Sequence, residues 1–120
     1  MKVLSLILIF IFSQSLLAKE NCTVYELQGT VKEVNYRLEL WVAEKTLSQK
    51  NFKIPLKIEL SFSPYVDKFI KGQFIFKGED LQTNESILSV ESIDLSTPDP
   101  LNQNEKNTMK KIKGIKCPSI

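Results

Sequence analysis

Histidine is absent from all 120 residues. With it go the commonest general base, the commonest proton shuttle and the commonest neutral metal ligand. Cysteine is nearly as scarce, at two residues, Cys22 and Cys117. If these two are bonded to each other, thiolate nucleophiles and thiolate metal sites are excluded as well. The chain also lacks a P-loop, a nucleophile elbow, a dinucleotide-binding glycine fingerprint and internal repeats. Carboxylates alone remain as catalytic or cation-binding groups. Glu79, Asp80, Asp94 and Asp99 stand in turn-rich stretches, where isolated acids are ordinarily just solvated. The expectation is a protein with no catalytic residues, no cofactor and no metal site.

The beginning of the chain sets the compartment. Lys2 precedes the apolar run Val3 to Phe12, and "SQSLLA" follows, ending in the small residue Ala18. That is the layout of a secretory signal peptide over residues 1–18, too short for a membrane span. An uncleaved N-terminal anchor is the other reading. Lys19, Glu20 and Asn21 before Cys22 do not suit a lipid-attachment signal, which needs small residues there. The expected location is periplasmic or secreted, with no transmembrane span after cleavage. In an oxidising compartment two cysteines near the ends of the mature chain read as one disulfide, Cys22–Cys117. Two unpaired buried thiols are the alternative.

Charge divides the mature chain unequally. Residues 19–102 hold ten basic and 13 acidic side chains, while residues 103–120 hold five lysines against Glu105. A mildly acidic body with a basic tail is a statement about partners, not fold.

Alternating apolar positions mark strands through most of the body. Thr23 to Val34 places Tyr25, Leu27, Gly29 and Val31 on one face; Gly29 suggests a bent or coiled strand. Asn35-Tyr36 suits a turn. Tyr36 to Ala43 alternates again, with Tyr36, Leu38, Leu40 and Val42 inward and Arg37, Glu39 and Trp41 outward. Phe52 to Phe62 alternates through Ile54, Leu56, Ile58 and Leu60 and reads as a third strand. Pro55 puts it at an edge or bulge. Ser63-Pro64 reads as a helix start, with Tyr65, Val66, Phe69 and Ile70 on one side and Gly72 as the stop. Gln73 to Lys77 and Ile87 to Leu95 complete five strands, the last with a bulge.

Three strands, a short helix and two further strands, each with one apolar face, must curl to hide edges and core. The segments "GTVKEV", "YRLELWV", "FKIPLKIELSF" and especially "SPYVDKFIKGQFIFKGE" together resemble the small exported OB-fold proteins of bacteria. That resemblance spans Thr23 to Leu95 and is one of element order. It implies a mainly β, five-stranded Greek-key barrel over residues 19–102, with the helix between strands three and four. Residues 103–120 would be a basic tail tied back by the disulfide. A cystatin-like or other α+β meander is the alternative arrangement; the single short central helix argues against it.

The class resembled binds oligonucleotides, oligosaccharides or proteins on the face of strands two and three. In this chain that face would carry Arg37, Trp41, Lys53 and Lys57, with Tyr36 near its edge, a set suited to an anionic or sugar ligand. Glu39 and Glu59 dilute the field, and Trp41 has a second reading as extra core beneath the returning tail. The tail offers Lys106, Lys110, Lys111 and Lys113 as contacts. Met109, Ile112 and Ile115 either pack it on the body as a strap or make it amphipathic; Gly114 and its shortness favour the strap. Charge, export and the missing catalytic groups point to a small binding module that contacts another envelope or secreted protein. An anionic glycan or single-stranded nucleic acid is the alternative ligand. Nucleic acid is disfavoured by the near-neutral charge balance, since such domains are usually far more basic.

Overall fold

A computed structural model describes residues 21–81 and 85–118. The signal peptide read over residues 1–18 lies outside them. The described chain is mainly β, with six strands in one antiparallel sheet. These are β1 (Asn21–Val34), β2 (Arg37–Val42), β3 (Lys50–Lys53), β4 (Phe69–Lys77), β5 (Ser89–Leu95) and β6 (Met109–Lys116). Their order is β3-β2-β1-β4-β5, with β6 on β1. Five strands were expected, and β6 is the addition.

β1 organises the sheet. Gly29 to Val34 pair with β2, while Asn21 to Leu27 pair with β6 on the same edge. The opposite edge takes β4 along Cys22 to Thr30. Such a handover requires the strand to bend, and it happens at Gly29. A β-carbon at that position would run into the Trp41 carbonyl of β2. Two residues close the β1–β2 hairpin, Asn35 and Tyr36, both at positive φ (52° and 65°). Such a pair matches the twist of its flanking strands. Tyr36 is therefore a turn residue, 92% exposed, and not the first inward residue of β2 as its place in the alternation suggested.

The largest departure lies at residues 54–66. The expected long third strand stops at Lys53, and the chain turns helical: a 3-10 turn (Leu56–Ile58), α1 (Glu59–Phe62) and a second 3-10 turn (Ser63–Tyr65). Pro55 explains the stop, because it has no N–H to give a ladder. Its carbonyl instead accepts from Ile58 N at 3.1 Å. The apolar run carries two periods at once. Every second residue is apolar, but Ile54, Ile58, Phe62 and Val66 also recur at fours, on one side of a helix. The fours win: Ile54 and Phe62 are buried, while Leu56 and Leu60 are 68% and 86% exposed. The helix expected after Ser63-Pro64 is the end of this stretch, and Phe69 and Ile70 already belong to β4.

The core sits inside the curl of the sheet. Phe62 stacks on Phe74 at 5.7 Å between centroids, and Phe52 meets Phe76 at 5.3 Å. Leu27, Val31, Leu40, Val42 and Ile70 fill the space around them. β5 carries the expected bulge, since Gln73 pairs with Ser92 but Phe74 pairs with Val90, leaving Glu91 out of step. The sheet does not close into a barrel. Its two edges touch at one parallel bridge, Lys53 with Ser86. There Lys53 N donates to the Glu85 carbonyl (3.1 Å), and Ile87 N donates to the Lys53 carbonyl (2.9 Å).

Cys22 and Cys117 form a disulfide, with Cα atoms 4.9 Å apart. It joins Val24, Ile75, Leu88 and Ile115 in a second apolar cluster, on the opposite face of the sheet from the main core. Among the described residues, no helix is long and apolar enough to cross a membrane.

Candidate functional site

Arg37 opens β2, directly after the hairpin turn. It borders a groove of about 540 Å³ together with Lys57 and Lys77, over a floor of Pro55, Leu56, Ile87 and Leu88. This groove lies along the unclosed seam between the end of β3 and the segment leading into β5. Arg37 also shares a smaller depression, about 290 Å³, with Glu39 and Lys53. Three of the residues read from the sequence, Arg37, Lys53 and Lys57, thus occupy one neighbourhood. Tyr36 projects from the adjoining turn and lines neither depression.

Trp41 stands elsewhere. It lies on the outer face of β2, flanked by Thr30 of β1 and Asn51 of β3. Its indole N–H donates to Glu39 Oε1 at 2.9 Å, and Lys32 Nζ lies 5.8 Å from its ring centroid. Lys32 also pairs with Glu44 at 3.7 Å. The ring borders a cleft of about 290 Å³ with Asp67, Phe69, Pro98 and Gln103. The segment bearing Pro98 and Gln103 comes beside Trp41, whereas β6 pairs only with the far half of β1. The indole's polar edge is thus engaged within the fold, and a cation is already set against its ring.

The basic tail is a strand. Met109 turns toward the main core and Ile115 toward the disulfide cluster, which seats β6 on β1. A register shift between Val24 and Tyr25 leaves Ile112 unpaired as a bulge, 43% exposed. Lys110, Lys111, Lys113 and Lys116 are all exposed. Glu26 faces Lys110 across the strands, but its carboxylate pairs with Lys71 of β4 at 3.7 Å. Among the described residues β6 pairs with β1 alone, so its outer edge faces no other strand. Lys111 and Lys116 border a depression of about 500 Å³ with Asn21, Thr23 and Glu79.

Lys106 is apart from this row, in the single turn α2 (Glu105–Thr108). Asn104 caps that turn, accepting from Asn107 N at 2.9 Å. Glu105 reaches back to Lys50 of β3 at 3.9 Å. Sequence reasoning left two cations out of its site residues, Lys77 and Lys116. Lys77 ends β4, and only the curl of the sheet carries it round to Arg37. Lys116 was present in the sequence as one of the five tail lysines, and the strand carries the row as far as that residue.

Among the described residues, no group of three His, Cys, Asp or Glu could hold a metal ion. Compared with protein-family models, curated proteins and solved structures, the chain matches none of them.

Proposed function

We propose that the protein is an exported, non-catalytic binding module that contacts an acidic segment of another envelope or secreted protein through the edge of β6. The observation that carries this reading is the row Lys110, Lys111, Lys113 and Lys116 on a strand whose outer edge pairs with nothing described. An extended acidic segment can add to such an edge, with main-chain hydrogen bonds supplying affinity and charge supplying choice of partner. The disulfide supports export, because such bonds persist in oxidising compartments.

The sheet itself reads as a relative of the five-stranded OB barrel. The order β3-β2-β1-β4-β5, the helical stretch between β3 and β4, and the parallel meeting of Lys53 with Ser86 support that reading. β6 is then an extra strand, and it carries the recognition. The other ligand class, an anionic glycan or single-stranded nucleic acid on strands two and three, gains less support. Its aromatic platform, Trp41, is engaged by Glu39 and Lys32.

Crosslinking pull-down from the native compartment tests the proposal. The baits are the wild type and a variant with Lys110, Lys111, Lys113 and Lys116 changed to Glu. A discrete partner captured by the wild type should disappear with the variant. Its binding should also weaken steeply between 50 and 500 mM salt, about tenfold or more, as screening shortens the Debye length. Equal capture by both baits would move the contact off β6 and defeat the reading.

A further inference from the structure

The groove at the unclosed seam belongs neither to the β6 edge nor to the cleft beside Trp41. We propose that it binds a single-chain amphiphile with an anionic head, of the medium-chain carboxylate class. Arg37, Lys57 and Lys77 would hold the head, and the alkyl chain would lie along Pro55, Leu56 and Leu88, over the enclosed Ile87.

The groove's volume, about 540 Å³, is within the range of small-molecule sites. Its composition narrows the ligand. Three cations stand against one carboxylate, Glu85, around a floor made of Pro55, Leu56, Ile87 and Leu88. A compact anion such as phosphate would satisfy the cations but leave the floor uncovered. No aromatic residue lines the groove, so a base or sugar ring has nothing to stack on. An extended peptide would need free backbone groups along the seam, yet Lys53 already exchanges both its hydrogen bonds with Glu85 and Ile87. An alkyl chain needs none.

The neighbouring helical stretch supplies one exposed leucine of the lining, Leu56. Leu56 and Leu60 are one turn apart on its outer side, 68% and 86% exposed. Their exposure follows from the four-residue period that turns Ile54, Ile58 and Phe62 inward. An exposed leucine lining a cation-rimmed groove, as Leu56 does, is what a ligand tail would cover. The groove owes its existence to the same event. β3 ends before Pro55, the edges meet at one bridge, and the space a longer β3 would fill stays open.

Isothermal titration of the exported protein with sodium dodecanoate, below its micelle-forming concentration, tests the proposal. Decanoate, octanoate and the same-length cation dodecyltrimethylammonium serve as comparisons, and neutral and anionic lipid vesicles form a separate arm. One saturable site is expected. Its affinity should rise about two- to fourfold per methylene, the gain for partly to fully burying each one. Arg37→Gln with Lys57→Gln should weaken dodecanoate about tenfold. Leu56→Ser should weaken it several-fold, with the unfolding temperature of each variant near wild type. Four results would each overturn the proposal: no saturation by dodecanoate, equal affinity for the cation, indifference to both sets of substitutions, or binding confined to anionic vesicles.

Discussion

At the residue scale, Gly29 shows how one position can decide an architecture. It sits where β1 passes from β6 to β2, and a side chain there has no room because the β2 backbone at Trp41 occupies the space. Backbone cannot yield as a flexible side chain can, so Gly29→Ala forces the two strands apart. Overpacking of this kind costs about 2 kcal/mol. In a domain of this size that lowers the melting temperature by about 10 °C, readable by circular dichroism. An unchanged melting temperature would mean that β1 does not bend there. Strand alternation, not this close approach, leaves the Trp41 side chain half-buried on the outer face, while Leu40 and Val42 beside it are fully enclosed.

At the element scale, legibility depended on how many constraints each segment carries. β2 and the second half of β1 were readable because each has one apolar face and a two-residue turn between them, so pattern and geometry agree, whereas Cys22 to Tyr25 are buried on both faces. Residues 54–66 were not. Their apolar run satisfies a strand and a helix equally, and the deciding factor is Pro55, whose missing N–H forbids the ladder. The tail was illegible for a different reason. As an edge strand paired on one side, β6 needs only Met109 and Ile115 turned inward, and a bulge at Ile112 breaks even that alternation. Its disulfide was legible from cysteine count and compartment. The Cys22–Cys117 bond spans a sequence separation of 95. A loop of that size should contribute about 4–5 kcal/mol by restricting the unfolded chain. The double variant Cys22→Ser/Cys117→Ser should therefore unfold at distinctly lower denaturant. Its Lys110 to Lys116 amides should exchange faster than those of β4. Wild-type protection across β6 in that variant would show that pairing with β1 suffices alone.

At the scale of the whole molecule, the candidate surfaces were legible as residue types and not as places. Arg37, Lys53 and Lys57 converge, but Lys77 joins them only through the curl of the sheet, and Trp41 is left on another face. The open edges carry a further implication. Unpaired strand edges invite other strands, and lysines on an edge are a recognised defence against that. Changing Lys110, Lys111, Lys113 and Lys116 to Gln should remove the defence. Sedimentation velocity should then show concentration-dependent self-association, while the Glu variant stays dispersed. A monomeric Gln variant would assign those lysines to recognition alone.

One feature of the fold reaches beyond binding. Because Cys22 and Cys117 are bonded with their Cα atoms 4.9 Å apart, the folded body is mechanically a closed ring. A pull applied to the chain at its two ends passes through that single covalent link. Apart from the pairing of Asn21 with Lys116 at the margin, it bypasses the hydrogen-bonded ladders, so the rest of the sheet would bear no load until the sulfurs part.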